Sequence, residues 1–346
     1  MKKKIKIAIH HNEDSFSDRW IEFCIKNNIQ YKIVNCLKKE IMDDLKDCHA
    51  LMWHFNHIQI DQCIIAKKLI KKLELLEIPV FPNYASIFHY DNKIAQKSLL
   101  ESINAPLIPT YIFFLREEAI RWSDSINYPI VFKLSTGAGS SNVKLIHSQS
   151  EAIKLINKSF KTGHSPLDRK ALFKDRIWHV KRDKNFKSIL GLFKGFVRLF
   201  IPTKFEILSG REKGYVYFQD FIPNNKYDVR IIVIGKRAFA IKRNVRKNDF
   251  RASGSGDIEY DKEIFDKRCL KISFDISHKL NFNSMAYDYV FDEFKNPLLI
   301  EISYCFNKNV YYPCPGYWDD NLNWFEGFFK PEDFMIKDII DDAFKT

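Results

Sequence analysis

The first ninety residues alternate short apolar runs with stretches in which apolar side chains recur at helical spacing. The apolar runs lie at 5–9, 31–34, 50–53 and 78–83, and the helical stretches at 16–26 and 60–76. Short apolar runs predict strands, and strands separated by helices of this length indicate a parallel α/β sheet. No other feature of the chain restricts its fold as strongly.

The remainder of the chain is richer in strands. A helix is predicted at 91–102, and Pro106 and Pro109 predict a linker into a new domain. Further strands are predicted at 128–134, 143–146, 215–222, 228–235, 237–243, 287–292 and 298–303. We therefore expect a mixed α/β and α+β fold with two or three domains.

The composition of the chain indicates its cellular compartment. With 346 residues, 46% of them apolar, the chain can bury two or three cores. The basic amino end is followed by an apolar stretch of only five residues, and no later run approaches the ~20 residues of a membrane span. Seven cysteines without a Cys-x-x-Cys pair predict free thiols in a reducing cytoplasm. We expect a cytoplasmic protein that is neither secreted nor membrane-spanning.

The net charge of +12 is concentrated in one segment. Residues 169–213 contain thirteen basic and four acidic side chains and so carry +9 of the total. The rest of the chain has the charge of an ordinary soluble enzyme. A surplus of this size indicates a polyanionic partner, which is nucleic acid, anionic lipid or a phosphate-rich substrate.

The basic segment also contains an amphipathic helix. Its apolar residues recur at i, i+3, i+4 and i+7, and are Phe186, Ile189, Leu190, Phe193, Phe196, Val197, Phe200 and Ile201. Lys184, Lys187, Lys194 and Arg198 flank this apolar stripe. The pattern predicts a helix that lies on an anionic surface or forms a lid on the protein itself. The alternative is a stripe that packs internally while its lysines are solvated.

A Gly/Ser hairpin indicates phosphate binding. The strand at 128–134 runs into residues 135–142, which are rich in Gly and Ser, and a strand resumes at 143–146. Such a loop lets backbone N–H groups approach phosphate oxygens, although it lacks the Lys-Ser/Thr ending of a Walker loop. Gly/Ser hairpins are common, but Lys133 stands just before this one, where a cation reaches a phosphate.

Two carboxylates stand in apolar strands near the end of the chain. Asp288 lies in the strand at 287–292 and Glu301 in the strand at 298–303, and a short turn joins the two. A carboxylate in a buried strand needs a partner, and a divalent cation with phosphate oxygens is the usual one. The sequence therefore predicts a metal site here.

Taken together, these residues resemble the ATP-grasp superfamily, and are most similar to its carboxylate–amine or thiol ligases, such as D-alanine–D-alanine ligase and the ribosomal-protein glutamate ligases. The resemblance covers nearly the whole chain and rests on six motifs in order. It implies an α/β domain at 1–83, an ATP-binding lobe at 84–222 with a basic helical insertion near 165–214, and a C-terminal lobe at 223–346. The two lobes would clasp ATP.

The resemblance implies roles for individual residues. Lys93, in Asp91-Asn92-Lys93, and Lys133 would contact the nucleotide phosphates. The residues expected in the mobile loop over the phosphates are Gly137, Gly139, Ser140 and Ser141, and those of the adenine-binding hinge are Gln219, Asp220, Phe221 and Ile222. Asp228, Arg230 and Arg243 match positions on the phosphate and acyl-acceptor side, and Lys133, Arg230 and Arg243 are the expected catalytic residues.

The metal site departs from the family in one position. Asp288 and Glu301 match the carboxylates that bridge Mg²⁺, but Ser303 stands where the family usually has a third ligand, Asn. Ser303 would ligate through its hydroxyl, or Asn307 would take its place. Residues 301–318 also resemble a subgroup associated with bacterial surface-polysaccharide synthesis.

Candidate substrate residues follow from chemistry and position. His54 and His57 stand at the end of the third strand, where α/β sheets bind ligands, although an inert loop is the alternative. Arg246, Arg251 and Ser253 are candidates for gripping a carboxylate, against a plain surface role. Cys305 and Cys314 are predicted to be structural, because no Cys/His pattern supplies a base. The C-terminal Tyr and Trp residues are expected in a core rather than stacked on a sugar.

The resemblance implies a reaction in which ATP and Mg²⁺ convert a carboxylate to an acyl phosphate that an amine attacks. The substrates would be a small-molecule or glycan-linked carboxylate and an amine. Residues 169–213 would offer a surface for an anionic membrane at its inner face, and a homodimer is one option for the assembly. Alternatives are a non-catalytic nucleotide-binding scaffold and a phosphotransferase acting on a hydroxyl. A nucleic-acid-binding protein is disfavoured, since it has no use for Asp288 and Glu301.

Overall fold

The computed structural model describes residues 5–137, 142–246, 250–251 and 256–345. The chain forms two compact units. The first unit contains Met1–Tyr90, Ser98–Leu107 and Asn224–Thr346, and the second contains Asp91–Lys97 and Ile108–Pro223. The division into three domains at 1–83, 84–222 and 223–346 stays a prediction.

The amino-terminal part of the first unit is the predicted parallel sheet. Its elements are β1 (Lys6–His10), α1 (Phe16–Lys26), β2 (Gln30–Val34), α2 (Ile41–Asp44), β3 (Ala50–Trp53), α3 (Ile60–Leu75), β4 (Val80–Phe81) and α4 (Tyr84–Ile87). The strands are parallel, in the order β2-β1-β3-β4. Helix α1 begins where Ser15 and Asp18 form a reciprocal capping box, and it buries Trp20 and Cys24. The expected α/β fold of this region is confirmed.

The second unit is built on an antiparallel sheet. Helix α5 (Lys93–Ser102) precedes it, and its elements are β5 (Thr110–Phe113), α6 (Arg116–Ser123), β6 (Ile130–Lys133), β7 (Lys144–Ile146), α7 (Gln149–Phe160), α8 (Arg169–Asp183), α9 (Phe186–Phe200), α10 (Lys204–Ser209) and β8 (Val216–Asp220). The strand order is β5-β8-β6-β7. Phe132, Ile146, Ile156 and Phe218 are buried together in its core.

The carboxyl-terminal part of the first unit is a seven-stranded sheet. Its elements are β9 (Tyr227–Ile234), β10 (Arg237–Asn244), β11 (Ile258–Glu259), a 3₁₀ turn (Lys262–Ile264), α11 (Lys267–Lys279), β12 (Ser284–Phe291), β13 (Pro297–Ser303), a 3₁₀ turn (Lys308–Val310), β14 (Gly316–Asp319), β15 (Trp324–Glu326) and α12 (Pro331–Lys345). The strand order is β13-β12-β9-β10-β14-β15, with β11 paired to β10. The strand pairings within this sheet are antiparallel.

One core ties the two parts of the first unit together. Trp20 and Ile7 from the amino-terminal sheet lie in the same buried cluster as Ile232, Phe239 and Ile336 from the carboxyl-terminal part. The expected mixture of α/β and α+β architecture is confirmed. Among the described residues, no helix is long and apolar enough to cross a membrane.

Four buried histidines make the fold sensitive to acid. Burial lowers the pKa of His10, His89 and His164 to about 4 and that of His54 to about 3, below the usual 6.5. The unfolded chain therefore binds more protons than the folded chain below pH 6.5, so stability is complete above that pH and falls as the pH drops towards 4. Each histidine is expected to cost on the order of 1 kcal/mol of unfolding free energy by pH 5.

Denaturant unfolding at pH 7.5, 6 and 5 measures this loss. His164→Gln, which keeps a hydrogen-bonding group near Ser159 but does not titrate, is expected to make the pH dependence shallower. His147→Gln is the matched control, because His147 is exposed on the surface. Equal slopes for the two variants and the unmodified protein would contradict the prediction.

Candidate active site

Lys133 belongs to a buried polar chain in the second unit. Its Nζ donates to Oε1 of Gln219 at 2.6 Å, and Nε2 of Gln219 donates to Oγ1 of Thr110 at 3.1 Å. The strand register produces this contact, since Gln219 on β8 lies between Thr110 on β5 and Val131 on β6. The side chain of Gln219, predicted to read adenine, thus orients Lys133 in this structure.

The start of the Gly/Ser loop is held by Asp91-Asn92-Lys93. Lys93 Nζ donates to the carbonyl oxygen of Gly137 at 2.8 Å, and Gly137 N–H donates to Oδ1 of Asp91 at 2.7 Å. Ser135 Oγ donates to Oδ1 of Asn92 at 3.1 Å. Gly137 has a backbone φ of +95°, which residues that carry a Cβ atom rarely adopt. The structure therefore brings two predicted phosphate-binding elements, Lys93 and the loop, into direct contact.

Two further side chains hold the same loop and were missed in the sequence. Glu212 accepts hydrogen bonds from the N–H groups of Ser135 (3.1 Å) and Thr136 (3.4 Å) and from the hydroxyl groups of Thr136 and Tyr215. Tyr215 OH also accepts from Ser135 N–H at 2.7 Å. A cluster of N–H and O–H donors that converges on one carboxylate is an anion-binding arrangement. The only sequence signal was their position just before the strand that carries Gln219.

Some predicted residues lie outside the described part of the chain. These are Gly139, Ser140 and Ser141 of the loop and Ser253 of the substrate candidates. Phe221 and Ile222 follow β8 and are half-buried, as is Asp220 at its end, where Asp220 N–H donates to the carbonyl oxygen of Pro109 at 2.9 Å. Their role at the adenine ring stays a prediction.

The first unit carries a row of charged side chains across four neighbouring strands. Arg243 on β10 lies opposite Asp228 on β9, and Asp288 on β12 lies opposite both Arg230 on β9 and Glu301 on β13. Asp228 and Arg230 are two residues apart, so they share one face of the sheet. The structure thus brings together five residues that the sequence separates by up to 73 positions.

Two arginines form ion pairs with two aspartates within this row. Arg243 holds Asp228 in a bidentate pair at 2.6 and 2.7 Å, and Arg230 holds Asp288 at 2.5 and 2.6 Å. Nη2 of Arg243 also lies 3.2 Å from Oδ2 of Asp288. Burial alone would raise the pKa of Asp288, but Arg230 and Arg243 outweigh it and lower the pKa to about 2. Burial raises the pKa of Asp228, against the opposing effect of Arg243.

Asp288 and Glu301 are a suitable pair of ligands for Mg²⁺. Mg²⁺ is usually bound by one or two carboxylates together with phosphate oxygens and water. The N–H groups of the two arginines make three hydrogen-bond contacts with the carboxylate oxygens of Asp288. A carboxylate offers about four acceptor positions. Glu301 stands opposite Asp288 on the next strand, and ligation of Mg²⁺ by this pair stays a prediction. Among the described residues, no cluster of three or more His, Cys, Asp and Glu side chains forms a metal site.

The two candidates for a third ligand hold local turns. Ser303 Oγ donates to the carbonyl oxygen of Cys305 at 2.9 Å and accepts from its N–H at 3.2 Å. Asn307 is exposed, and its side chain accepts from the N–H of Asn309 at 3.1 Å. In this arrangement both side chains stabilise backbone. Ligation of Mg²⁺ by either one stays a prediction.

A histidine does lie beside Cys305, contrary to the expectation that none would. His54 Nε2 is 3.3 Å from the sulfur of Cys305, and His54 Nδ1 accepts from the N–H of Phe16 at 3.2 Å. With Nδ1 as acceptor, Nε2 carries the proton and points it at the sulfur. Burial also raises the pKa of Cys305 to about 11. His54 therefore cannot take the thiol proton, and the pair is a structural contact between distant parts of the chain.

The remaining substrate candidates are His57, Arg246 and Arg251, which follow strands β3 and β10 in the chain. His57 is half-buried after β3, and its N–H donates to the hydroxyl of Tyr90 at 3.0 Å. Arg246 follows β10, and Arg251 lies in a short described stretch beyond it. Their contact with substrate stays a prediction. Tyr311 and Trp318 are buried, in agreement with the expected core role of the C-terminal aromatic residues.

Part of the chain matches a family of known function. Residues 92–187 match the family described as carbamoyl-phosphate synthase L chain, ATP binding domain. This stretch contains Lys93, Lys133 and the Gly/Ser loop.

Solved structures of ATP-dependent ligases share the fold. D-alanine–D-alanine ligase from Bacillus anthracis is 12% identical, with a TM-score of 0.57 over 99% of this chain and 98% of the ligase. N5-carboxyaminoimidazole synthase from Aspergillus clavatus, solved with ADP and 5-aminoimidazole ribonucleotide, is 11% identical, with a TM-score of 0.58 over 99% of this chain and 78% of the synthase.

A third structure is the RimK domain protein ATP-grasp from Sphaerobacter thermophilus, 16% identical, with a TM-score of 0.52 over 86% of this chain and 90% of that protein. At these identities the similarity is one of fold. The similarity of residues 301–318 to a surface-polysaccharide subgroup stays a prediction. The predicted resemblance to the ATP-grasp superfamily is confirmed, and the chain has the ATP-grasp fold.

Proposed function

We propose that the protein is an ATP-dependent, ADP-forming ligase that activates a carboxylate and joins it to an amine. The observation that carries this proposal is the row of Asp228, Arg230, Arg243, Asp288 and Glu301 on one face of a sheet in an ATP-grasp fold. Phosphoryl transfer to a carboxylate brings two anions together. Arg230 and Arg243, together with Mg²⁺ held by Asp288 and Glu301, would supply the opposite charge at that place.

The nucleotide would be bound mainly by residues of the second unit. Lys93 and Lys133 are buried cations, each held by a short hydrogen bond, and so are preorganised for phosphate oxygens. The N–H groups of Ser135 and Thr136 would bind phosphate when Glu212 releases them. The stretch at 220–222 would contact adenine. Asp288 and Glu301 would hold Mg²⁺, which neutralises charge on the phosphates when bound.

The reaction would proceed in two balanced steps. An oxygen of the substrate carboxylate attacks the γ-phosphorus of ATP, the bond to the β-phosphate oxygen breaks, and ADP leaves. The amine nitrogen then attacks the acyl carbon of the acyl phosphate, inorganic phosphate leaves, and the nitrogen loses a proton to give the amide. Arg230 and Arg243 would stabilise the carboxylate and the departing phosphate, since the guanidinium fork matches both anions.

Finer features of the function are also proposed. The carboxylate would be carried by a small molecule or by a cell-surface glycan precursor and bound by Arg246, Arg251 or Ser253. The enzyme would act in the cytoplasm, at the inner face of the membrane, as a monomer or a homodimer. The sequence of residues 301–318 and the basic segment at 169–213 support this setting.

An ADP-release assay tests the proposal. ADP is expected only when a carboxylic acid and an amine, supplied as pools, are present together with ATP and Mg²⁺. Replacing the amine by hydroxylamine is expected to yield a hydroxamate, because hydroxylamine traps acyl phosphates. ADP formation with hydroxyl acceptors and no hydroxamate would establish the phosphotransferase instead. Nucleotide binding without turnover on any pool would establish the scaffold.

A further inference from the structure

A helical hairpin in the second unit exposes a continuous apolar face. We name α8 and α9, residues 169–200, the basic hairpin. Eight large apolar residues on and just after α9 are each 40–79% exposed, and these are Phe186, Ile189, Leu190, Phe193, Phe196, Val197, Phe200 and Ile201. At 100° per residue they span an arc of about 140°. The sequence left open whether this stripe packs internally, and the structure leaves it at the surface.

The opposite side of α9 packs on α8, which explains why the stripe faces outward. Gly195 is buried, and a Cβ added to it would lie 2.4 Å from Cδ of Arg176. Arg176 also donates to the carbonyl oxygen of Gly191. The two glycines thus let the helices approach closely through the face that lacks the stripe. The hairpin is fixed at its base, where Nε of Arg169 donates to Oε1 of buried Glu206 at 2.6 Å.

Positive charge accompanies the stripe. Lys194 and Arg198 are exposed along one edge of it. On α8, a shallow groove of about 250 Å³ is lined by Lys174, Ile177, Trp178 and Lys181, so two lysine side chains and an indole border one opening. Residues 169–213 carry a net charge of +9. The surface of the basic hairpin therefore combines a broad apolar face with neighbouring residues that are strongly cationic.

We propose that the basic hairpin docks the protein on an anionic lipid bilayer, with α9 lying in the plane of the interface and its phenylalanines inserted among the acyl chains. An amphipathic helix with aromatic and aliphatic residues on one face and Lys and Arg beside it is the form that binds such surfaces. The groove on α8 would receive a lipid phosphate. This inference rests on the proposed function at the inner face of the membrane and names the surface that would hold the enzyme there.

Charge decides between the bilayer and the other occupants of this face. A second copy of the chain would bring another segment of +9 against the first, and like charges repel. Nucleic acid would satisfy the lysines, but it offers no apolar phase for eight adjacent Phe, Leu, Ile and Val side chains. An anionic bilayer satisfies both the charge and the apolar face.

Vesicle co-sedimentation of the purified full chain tests the inference. We expect the protein to bind vesicles of phosphatidylcholine with 30% phosphatidylglycerol at least tenfold more tightly than vesicles of phosphatidylcholine alone. Replacing Phe186, Phe193 and Phe200 by Ser is expected to lower binding at least tenfold, because insertion is lost. Replacing Lys194 and Arg198 by Gln is expected to weaken binding and its dependence on salt.

The matched control replaces three other exposed phenylalanines by Ser. Phe114, Phe294 and Phe328 are 61–80% exposed but lie outside the basic hairpin, so this variant is expected to bind like the unmodified protein. Equal binding of the two triple variants, or no preference for the anionic vesicles, would overturn the inference. So would a concentration-dependent dimer that the stripe variant alone abolishes, since the occupant would then be a second copy.

Vesicle binding is measured without ATP or substrate, so its result is independent of catalysis. A protein that binds vesicles but forms no ADP would remove the proposed ligase activity and leave the docking surface. A protein that forms ADP but ignores vesicles would do the reverse. Circular dichroism of each variant is expected to match that of the unmodified protein, because the replaced side chains are exposed.

Discussion

Replacing Lys133 by Met is expected to reduce acceptor-dependent ADP formation by about 10³-fold, the loss typical of a preorganised charge at a reacting phosphate. Lys133 is buried, and its Nζ is oriented by Gln219 at 2.6 Å. Methionine has a side chain of similar length and shape, and it removes both the charge and the hydrogen bond to Gln219. The measurement is kcat with saturating ATP, together with the thermal midpoint to confirm folding.

Two further variants make the result for Lys133 specific. Lys154→Met removes a charge from an exposed lysine on α7 in the same unit and is expected to leave kcat unchanged. Gln219→Leu keeps the Lys133 charge but removes its hydrogen-bond partner, so a smaller loss of kcat is expected. Activity of Lys133→Met within twofold of the unmodified protein would exclude Lys133 from the reaction.

Replacing Glu301 by Gln is expected to abolish the dependence of nucleotide binding on Mg²⁺ and to lower turnover by at least 10²-fold, since the principal carboxylate ligand is lost. Glu301 is a cleaner probe than Asp288, because removing Asp288 leaves Arg230 without the carboxylate that it holds in a bidentate pair. Calorimetric titration with ATP, with and without Mg²⁺, measures the dependence directly.

The control for Glu301 lies in the same hairpin. Glu293 is exposed in the turn between β12 and β13, and Glu293→Gln is expected to bind Mg²⁺ and ATP as the unmodified protein does. If Glu301→Gln kept the full effect of Mg²⁺ on ATP binding, the cation would have to be held elsewhere, and the assignment of Asp288 and Glu301 would fail.

Local patterns made most elements of the fold predictable. Helix α1 was predicted at its observed bounds because apolar residues recur at helical spacing over 16–26. Strands β12 and β13 were found because Asp288 and Glu301 interrupt apolar runs. Elements such as β5, α6 and α11 were not predicted, since their bounds depend on packing with partners distant in sequence.

The side-chain contacts within the candidate site could not be predicted from the sequence. The pairing of Arg230 with Asp288 joins residues 58 positions apart, and His54 meets Cys305 across 251 positions. No local sequence pattern identified Glu212 as a residue of the site. A glutamate exposed to solvent and a glutamate that binds a loop occur in the same kind of local sequence. Side-chain partners of this kind follow from strand order and register, which short-range periodicity does not encode.

The sequence by itself determined the amphipathic character of α9, the concentration of charge at 169–213 and the residue types of the site, since periodicity and composition are local properties. Only the tertiary structure decided that the apolar stripe stays exposed. The two glycines lie on the opposite face of α9, and that face packs against α8. The tertiary structure also decided that two arginines neutralise Asp228 and Asp288, because only the pairing of β9 with β10 and β12 places these charges side by side.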